Sequence, residues 1–289
     1  PWMVFEAIPV SRLLSVADPA ALLTRAQDLS SCDGVIVAAG ARGPSAGAPE
    51  RARMRALLFD AGFLPVAQNR AGKSPAGDES MGYLRSALLQ DASHVGVSSA
   101  DGVSMTKLSH RGRFGNQLFQ YAFLRLYGLR NHLTAKLPEW QGEAMFGLSD
   151  ARATLNEYPD IFLDSFEDDD LVLWQQDAPP ANVNFDGPFQ EVPESWRAHR
   201  HFLRLLFTPH PEWNAELAAC SARREDRTLV VIHVRRGDYE TLTAQDAGSP
   251  FRTTPLEWYD AALRELWPTL RNPVLHVATD GGAPVMKVF

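Results

Sequence analysis

Short runs of β-branched and aliphatic residues alternate with amphipathic stretches along most of the chain, and this alternation predicts an α/β fold. The strongest strand signal is 229–232, a run of Leu, Val, Val and Ile. The other predicted strands cover residues 34–40, 83–89, 105–108, 183–185 and 273–278. Helical spacing of apolar residues predicts helices over 19–29, 50–61, 118–129, 196–207, 213–222 and 255–266.

The first third of the chain differs from the rest. Residues 1–92 form an α/β piece of their own, and 93–104 are small and polar, which is typical of a linker. The order of elements in 1–92 resembles the C-terminal part of a class I S-adenosylmethionine-dependent methyltransferase, with VADPAALLTRAQDL and DGVIVAAG as a late helix and strand. The glycine-rich loop that would hold the cofactor does not occur in this sequence, so we assign no chemistry to 1–92.

Composition and charge narrow the function. With 289 residues, of which 45% are hydrophobic, the chain is long enough for two domains. A net charge of −7 without a basic cluster argues against nucleic acid as a partner. The two cysteines suit neither a disulfide framework nor a metal site, and no apolar run reaches the roughly 18 residues of a membrane span. We therefore expect a cytoplasmic protein without a transmembrane segment, with the inner face of the membrane as the alternative location.

The sequence HVRRGDY (233–239) directly follows the strongest strand, and residues 241–250 after it are polar and predict a loop. Ligands of open α/β sheets bind at the carboxyl ends of the strands. At such an edge the planar guanidinium groups of Arg235 and Arg236 suit phosphate oxygens. Pairing with surface acids is the alternative role of these arginines.

A second predicted strand ends in polar residues of the same kind. The strand 273–278 runs into Thr279 and Asp280, which are followed by two glycines. Two polar strand ends in one α/β unit predict a nucleotide pocket.

A glycine turn opens the predicted helix 118–129. Gly112 and Gly115 let the backbone approach a ligand closely, and a helix start offers unpaired N–H groups. Asn116 stands at this start, and its amide both donates and accepts hydrogen bonds. The alternative role of Asn116 is that of the helix N-cap, for which Asn is among the favoured residues.

Five segments resemble fucosyltransferases. GRFGNQLFQYAFLRL (112–126) resembles the N-terminal signature of the family 11 α-1,2-fucosyltransferases, and its GRFGNQ core is also similar to the protein O-fucosyltransferases. HVRRGDY (233–239) matches the arginine motif of family 11, and GPFQE (187–191) is similar to its middle segment. PLEWYDAAL (255–263) and HVATD (276–280) follow in the expected order, the latter resembling the protein O-fucosyltransferase version.

This resemblance implies a GT-B fold, in which two Rossmann-like domains face each other across a cleft. The first would cover 105–222 and hold the acceptor, and the second, 223–289, would hold GDP-fucose and is only partial. The family continues past the position of Phe289, and the chain begins with Pro1 rather than Met. We therefore expect a fragment of a longer polypeptide.

The resemblance also implies roles for the residues of the second domain. Arg235 would bind the donor diphosphate and stabilise the charge that develops as GDP leaves, with Arg236 as a supporting cation. His233 and Asp238 would shape the loop or contact the nucleotide. Asp280, together with Thr279, would lie near the guanosine.

In the first domain, Asn116 and Arg113 would position fucose and acceptor beside the backbone of Gly112 and Gly115. The implied reaction is the inverting transfer of L-fucose from GDP-β-L-fucose to a glycan hydroxyl, without a metal ion or other cofactor. The expected product is an α-1,2 linkage to galactose in a bacterial surface polysaccharide.

Several assignments stay open. The general base is one of Asp186, Glu191 and Asp238. The acidic run 167–170 is spaced like the metal-binding Asp-x-Asp of another glycosyltransferase class, but the apolar run before it, 161–163, is very short for a strand, so we interpret 168–170 as a solvated turn. The alternatives in function are an inactive or GDP-sugar-binding paralogue, and methyl transfer by the N-terminal piece.

The histidines outside the motifs carry no chemistry in this interpretation. His199, His201 and His210 lie among Arg and Pro without an acidic partner at useful spacing. We predict that they are surface residues.

Overall fold

A computed structural model describes most of the chain. The described residues are 13–16, 29, 32–37, 48–66, 81–89, 92–97, 99–110, 112–163, 173–174, 176, 179–190, 194–222, 226–245 and 252–288. The chain divides into two compact units, Pro1–His210 and Pro211–Phe289.

Strands and helices alternate along both units, which confirms the α/β class. The described strands are β1 (Leu13–Val16), β2 (Gly34–Val37), β3 (Phe63–Pro65), β4 (Met81–Arg85), β5 (Gly102–Ser104), β6 (Thr134–Leu137), β7 (Ala151–Arg152), β8 (Asp160–Phe162), β9 (Val183–Asp186), β10 (Thr228–Val234) and β11 (Pro273–Thr279). The described α-helices are α1 (Ala48–Asp60), α2 (Phe114–Asn131), α3 (Gln141–Phe146), α4 (Arg200–Leu206), α5 (Asn214–Ala222), α6 (Gly237–Gln245), α7 (Leu256–Leu266) and α8 (Ala283–Met286). Short 3₁₀-helices lie at Ser86–Leu88, Ala92–His94, Glu194–His199, Pro211–Trp213 and Trp267–Thr269.

The first unit is built on a five-stranded parallel sheet with the strand order β7-β6-β5-β9-β8. Its central strand β5 pairs with β6 on one side and β9 on the other, and Val103 in β5 is fully buried. Helix α2 leads from the carboxyl end of β5 back to the amino end of β6. Because parallel sheets need cover on both faces, the apolar residues of α2 are packed into the core that this sheet forms.

A four-stranded sheet, with the order β1-β2-β4-β3, belongs to the same unit. Strands β1 and β2 are parallel, whereas β4 runs antiparallel to β2 and β3. Helix α1 packs on α2, and Phe59 of α1 lies in the same apolar cluster as the residues of α2. The hydroxyl of Ser86 donates a hydrogen bond of 2.8 Å to the carbonyl of Ala198. The described part of 1–92 is therefore packed against 105–210.

The sequence predicts a linker at 93–104, and the structure differs from this prediction. Segment 93–104 contains β5, which pairs in parallel with β6 on one side and with β9 on the other. Just before β5, the backbone N–H of Ser99 donates to the hydroxyl of Thr134 (3.1 Å), which donates to the carbonyl of Ser99 (2.9 Å). Small polar residues here hold the strand start instead of separating two domains. The second boundary lies at 210/211 rather than at the predicted 222/223.

The second unit contains two parallel strands, β10 and β11, with the described helices α6 and α7 between them in the chain and α8 after them. The register places Thr228 opposite Pro273 and Val234 opposite Thr279. Among the described residues of this unit, the buried apolar side chains are those of Val234 and Val285.

Several element predictions were wrong in position. The predicted strand 105–108 is a turn, and β5 lies three residues earlier; Met105 and Leu108 are buried although they are not in a strand. The first part of the predicted loop 241–250 belongs to helix α6, which begins at Gly237 and ends at Gln245. Acidic residues in the first turn of this helix suit the helix dipole. The run 161–163, judged too short for a strand, contributes to β8.

Other elements agree with prediction or lie outside the described residues. The helices predicted at 50–61, 118–129 and 255–266 correspond to α1, α2 and α7, and the strands at 229–232 and 273–278 correspond to β10 and β11. Strand β4 ends at Arg85, earlier than predicted, and a 3₁₀ turn follows it. The predicted helix at 19–29, apart from Leu29, and residues 38–40 of the second strand lie outside the described residues.

The surface prediction for His199 was wrong. Its side chain is fully buried, and Nε2 lies 2.9 Å from the carbonyl oxygen of Phe59, so Nε2 carries the proton. His201 is half-buried and contacts the carbonyl of Leu89 at 2.8 Å, whereas His210 is exposed. The histidines therefore connect the helical segment 194–206 to α1 and to the segment after β4.

A further histidine ends α2. His132 adopts the left-handed conformation (φ 56°) as the C-cap, and its Nε2 lies 2.8 Å from the hydroxyl of Tyr83 in β4. Burial, aided by the charge of Arg55, lowers the pKa of His132 from 6.5 to about 3. Burial also lowers the pKa of His199 from 6.5 to about 4.

We expect the free energy of unfolding to fall as the pH drops below about 6.5, where both histidines are protonated in the unfolded chain but not in the folded one. The loss should continue until the pH reaches the folded pKa values, and each pKa unit is worth about 1.4 kcal/mol. Denaturant unfolding between pH 7.5 and 4.5 measures it. His199→Gln keeps an N–H for the Phe59 carbonyl but does not titrate, so its stability should depend less on pH.

The matched control is His210→Gln, at an exposed position of the same segment. It should keep the pH dependence of the parent protein. Identical slopes for all three proteins would show that His199 is not a proton-linked group of the core.

Candidate functional site

The carboxyl ends of β10 and β11 lie side by side, because the two strands pair in parallel up to Val234 and Thr279. Strand β10 runs directly into Arg235 and Arg236, and β11 runs into Asp280. Each strand end is followed within a few residues by a helix, α6 or α8. The structure thus brings the two polar strand ends together at one edge, as the sequence predicted.

Asp280 connects the two strand ends. Its Oδ1 accepts the backbone N–H of Arg236 at 2.7 Å, and its Oδ2 lies 3.2 Å from Nη1 of Arg235. Gly237 is required beside it, because φ is +30° there and a Cβ would lie 2.6 Å from Oδ2 of Asp280. One carboxylate therefore holds an arginine side chain and the backbone of the next residue.

Arg235 is oriented by two carboxylates and an aromatic ring. Its Nη2 donates to both oxygens of Asp238, at 2.7 and 3.1 Å, and its guanidinium lies 4.8 Å from the ring centre of Tyr239. The side chain of Arg235 is 24% exposed, against 51% for Asp238 and 22% for Asp280. The guanidinium is thus reachable from solvent and already held in one orientation.

Arg236 is held separately from Arg235. Its Nη2 donates to the carbonyl of Thr254 at 3.1 Å, and its Nη1 lies 3.7 Å from Glu240. Its side chain also packs against Gly281, where a Cβ would lie 2.8 Å from Cγ of Arg236. These contacts place a second, less exposed cation beside the first.

The other residues predicted for this site have local roles. The hydroxyl of Thr279 donates to the carbonyl of Val234 (2.8 Å) and accepts the N–H of Gly281 (2.9 Å), so it closes the turn after β11. His233 is exposed, and its carbonyl accepts a hydrogen bond of 3.0 Å from the hydroxyl of Tyr259 in α7.

In the first unit, the glycine turn and the GPFQE segment lie together at the carboxyl edge of the five-stranded sheet. Nε2 of Gln120 in α2 donates to the carbonyl of Gly187 at 3.1 Å. The rings of Phe123 and Phe189 stack at 4.0 Å with an interplanar angle of 23°. The part of GPFQE after 190 lies outside the described residues.

Asn116 is the third residue of α2, because the helix begins at Phe114 and Arg113 is its N-cap. The N-cap alternative for Asn116 is therefore wrong. Its amide makes no hydrogen bond within the described part of the chain, and it lies over Gly112, whose φ is +77°. Gly115 faces open space, and Arg113 is exposed.

The sequence did not single out Lys107 or Asn184, which lie at the same edge. Nζ of Lys107 is 2.6 Å from the 3%-exposed carboxylate of Asp186 and 3.7 Å from Asp160. Asn184 accepts from the hydroxyl of Ser104 (2.8 Å) and donates to Asp160 (2.7 Å). Lys107 falls inside the predicted strand 105–108, so the sequence carried no signal for a charged residue at this edge.

This geometry bears on the choice of general base. Asp186 is buried against Lys107, and Asp238 is hydrogen-bonded to Arg235. Glu191 lies outside the described residues, as does the acidic run 167–170. The choice among the three carboxylates therefore stays open.

Within the described residues, no group of three or more His, Cys, Asp or Glu side chains is placed to hold a metal ion. No helix in the described part of the chain is long and apolar enough to cross a membrane. Neither a scan against known protein families nor a search of curated proteins finds a match to this chain.

Because Gly281 lies in close contact with Arg236, adding a methyl group at position 281 is expected to displace the side chain of Arg236. In Gly281→Ala, the added Cβ would meet Cγ2 of Val285 at 2.7 Å and Cγ of Arg236 at 2.8 Å, so Arg236 must shift. Any phosphate anion that Arg236 contacts should therefore bind at least tenfold more weakly to this variant, measured by calorimetric titration with GDP as the probe.

Gly282→Ala is the matched control. A Cβ there meets no atom within 4 Å, although the φ of +62° makes it cost about 1 kcal/mol in stability. Its affinity for GDP should stay near that of the parent protein. Equal GDP affinities for both alanine variants would mean that Arg236 does not contribute to anion binding.

Proposed function

We propose that the protein transfers L-fucose from GDP-β-L-fucose to a glycan hydroxyl, with inversion at the anomeric carbon. The observation that carries this proposal is the pair of parallel strand ends at which Asp280 holds Arg235 and the backbone of Arg236. The resemblance of HVRRGDY and HVATD to fucosyltransferase motifs falls on these same residues.

The proposed chemistry is a direct displacement. The acceptor oxygen attacks C1 of fucose, the bond from C1 to the β-phosphate oxygen breaks, and GDP leaves with the electron pair. The proton of the acceptor hydroxyl passes to a base, for which Asp186, Glu191 and Asp238 are the candidates. The protein therefore has to stabilise the negative charge that develops on the diphosphate.

Arg235 suits this task because its orientation exists before the ligand binds. Its planar fork would form paired hydrogen bonds with two phosphate oxygens. Asp238 is the more exposed of its two carboxylate partners and would give up its place to the diphosphate, while Asp280 would keep the guanidinium in position. Arg235 also has a buried Nε–H without an acceptor among the described residues, a donor that its two carboxylate partners leave unused.

The finer architecture belongs to the same proposal. The enzyme would be of the GT-B type, with the donor bound by the second unit and the acceptor by the first. Asn116 would position fucose and acceptor, since its amide has no other partner in the described part of the chain. The proposed acceptor is a galactose of a bacterial surface polysaccharide, and the proposed location is the cytoplasm or the inner face of the membrane.

One observation favours a second candidate function, a GDP-sugar-binding protein without transfer activity. The described strand-end cluster contains Arg235 and Arg236 but also Asp238, Glu240 and Asp280, so its net charge is not positive. At such a site a diphosphate binds only if it replaces a carboxylate as the ion-pair partner of an arginine. GDP binding without any fucose transfer would select this candidate.

Methyl transfer has no comparable support. The segments 38–47 and 67–80, which follow strands of the four-stranded sheet, lie outside the described residues.

Replacing Arg235 with lysine tests the proposal most directly. Arg235→Lys keeps the charge but loses the planar fork, and we expect fucose transfer by the full chain to fall by about 10²–10³-fold. The assay follows GDP release with an oligosaccharide ending in galactose as acceptor. Arg264→Lys, at an exposed ion pair with Asp260 on α7, is the control and should keep full activity.

Near-parental turnover by Arg235→Lys would remove Arg235 from the proposed role. If the parent protein itself binds GDP but transfers no fucose, the binding-protein candidate replaces the enzyme.

The position of Asn116 predicts a separation of activity from stability. Because Arg113 is the N-cap, Asn116→Ala should leave the melting temperature unchanged or slightly raised, since Ala is the better helix former. A positioning role predicts that Asn116→Ala, →Asp and →Ser all lose most turnover while GDP affinity stays constant. Turnover close to that of the parent protein in the serine variant would contradict this role.

A further inference from the structure

A cleft of about 250 Å³ lies at the amino ends of β6 and β7. Helix α2 begins at the carboxyl edge of the sheet and ends at the amino edge, so this cleft lies at the edge opposite to the glycine turn. All of its lining residues belong to the first unit. The cleft therefore shares no residue with either motif-bearing edge described above.

The polar wall of the cleft is built around Arg125. The guanidinium forms an ion pair with Asp150, whose side chain is 3% exposed, and Arg125 itself is 17% exposed. The second oxygen of Asp150 accepts a hydrogen bond of 2.8 Å from the hydroxyl of Tyr121. Arg125 is thus held in one orientation while it lines the cleft and keeps further N–H donors.

The charge of the lining selects the kind of ligand. Arg125 and Asp150 are the charged residues among those that line the cleft, and they neutralise each other. An anion would gain little from an arginine that is already paired and would lie close to a carboxylate. A neutral ligand with oxygen acceptors fits better, and the exposed hydroxyl of Ser149 adds a second polar contact.

The remaining walls are apolar. They come from the segment before β5, the C-terminal half of α2 and the residues that enter β6 and β7, namely Val95, Val97, Leu129, Leu133, Ala135 and Ala151. Since a water molecule takes about 30 Å³ of liquid volume, the cleft has room for about eight water molecules, which is the scale of one sugar ring. A pyranose offers hydroxyls on its edge and C–H groups on its faces, and the lining offers partners for both.

We infer that this cleft binds one neutral sugar unit of a glycan. The inference goes beyond the proposed transfer reaction and does not depend on it, because the cleft shares no residue with the strand-end cluster or the glycine turn. The plain alternative is that Arg125, Asp150 and Tyr121 serve only to pack α2 against the residues before β7. If these three residues had only that packing role, the cleft would not bind any sugar.

The test is a titration of the full chain, labelled with ¹³C in the Val and Leu methyl groups, with methyl β-D-galactopyranoside and methyl β-D-glucopyranoside. We expect the signals of Val95, Val97, Leu129 and Leu133 to shift saturably with at least one glycoside, with a dissociation constant on the order of 1 mM. The signals of Val234 in the second unit should not move. Galacturonate, which carries a carboxylate, should bind at least several-fold more weakly.

Three variants test whether the shifts come from the cleft. Ala151→Phe fills it from an exposed position at the start of β7 and should abolish the shifts, whereas Ala144→Phe, exposed on α3 and outside the lining, should leave them unchanged. Ser149→Ala removes one exposed hydroxyl and should weaken binding about threefold to tenfold.

Three outcomes would overturn the inference. The first is the absence of shifts with both glycosides, and the second is a preference for galacturonate, which would make the cleft an anion site. The third is binding of unchanged affinity in both Ala151→Phe and Ser149→Ala. The melting temperature of each variant shows that it is folded, and Ser149→Ala keeps the test valid if Ala151→Phe does not fold.

Discussion

The burial of α2 is the constraint on which the first unit depends. From Gln120 to Asn131 nearly every residue of this helix is buried, including the polar Gln120, Arg130 and Asn131. A helix that is buried around its whole circumference needs partners on every side. The five-stranded sheet covers one side, and α1 with β3 covers another, so the N-terminal segment completes the core of the unit.

The buried polar groups of α2 show how this packing is made specific. Arg55 of α1 donates to the carbonyl of Asn131 (3.0 Å), which satisfies one of the last carbonyls of the helix. The hydroxyl of Tyr127 donates to the carbonyl of Pro180 at 2.9 Å, and the guanidinium of Arg130 lies 5.7 Å from the ring centre of Trp174. Each contact fastens a different neighbour to one helix.

Local pattern was sufficient for several elements, among them α1, α2, α7, β10 and β11, and for the strand-end cluster, but long-range packing was not visible in it. The run of β-branched residues before Arg235 predicted β10, and the polar end of the later strand predicted its neighbour, so Arg235 and Asp280 were brought together correctly. The burial of His199 and the incorporation of Gly102 into a central strand depend on partners far away in the chain. Short sequence windows carry no information about those partners, and small polar residues occur in linkers as well as at strand starts. The same limit explains why Lys107 and the cleft beside Arg125 were not anticipated.

The small core of the second unit has a thermodynamic consequence for ligand recognition. With Val234 and Val285 as its buried apolar side chains, the described part of this unit gains little free energy from burial. Local opening of such a region requires little free energy and is expected to be frequent on the timescale of amide hydrogen exchange. A ligand that binds only the ordered form shifts this equilibrium by mass action, so it would act as part of the core and protect the amides of β10 and β11 from exchange. The measured affinity of this ligand would then include the free energy that is needed to order β10 and β11. Ligand binding and folding of this unit would therefore be coupled in one equilibrium.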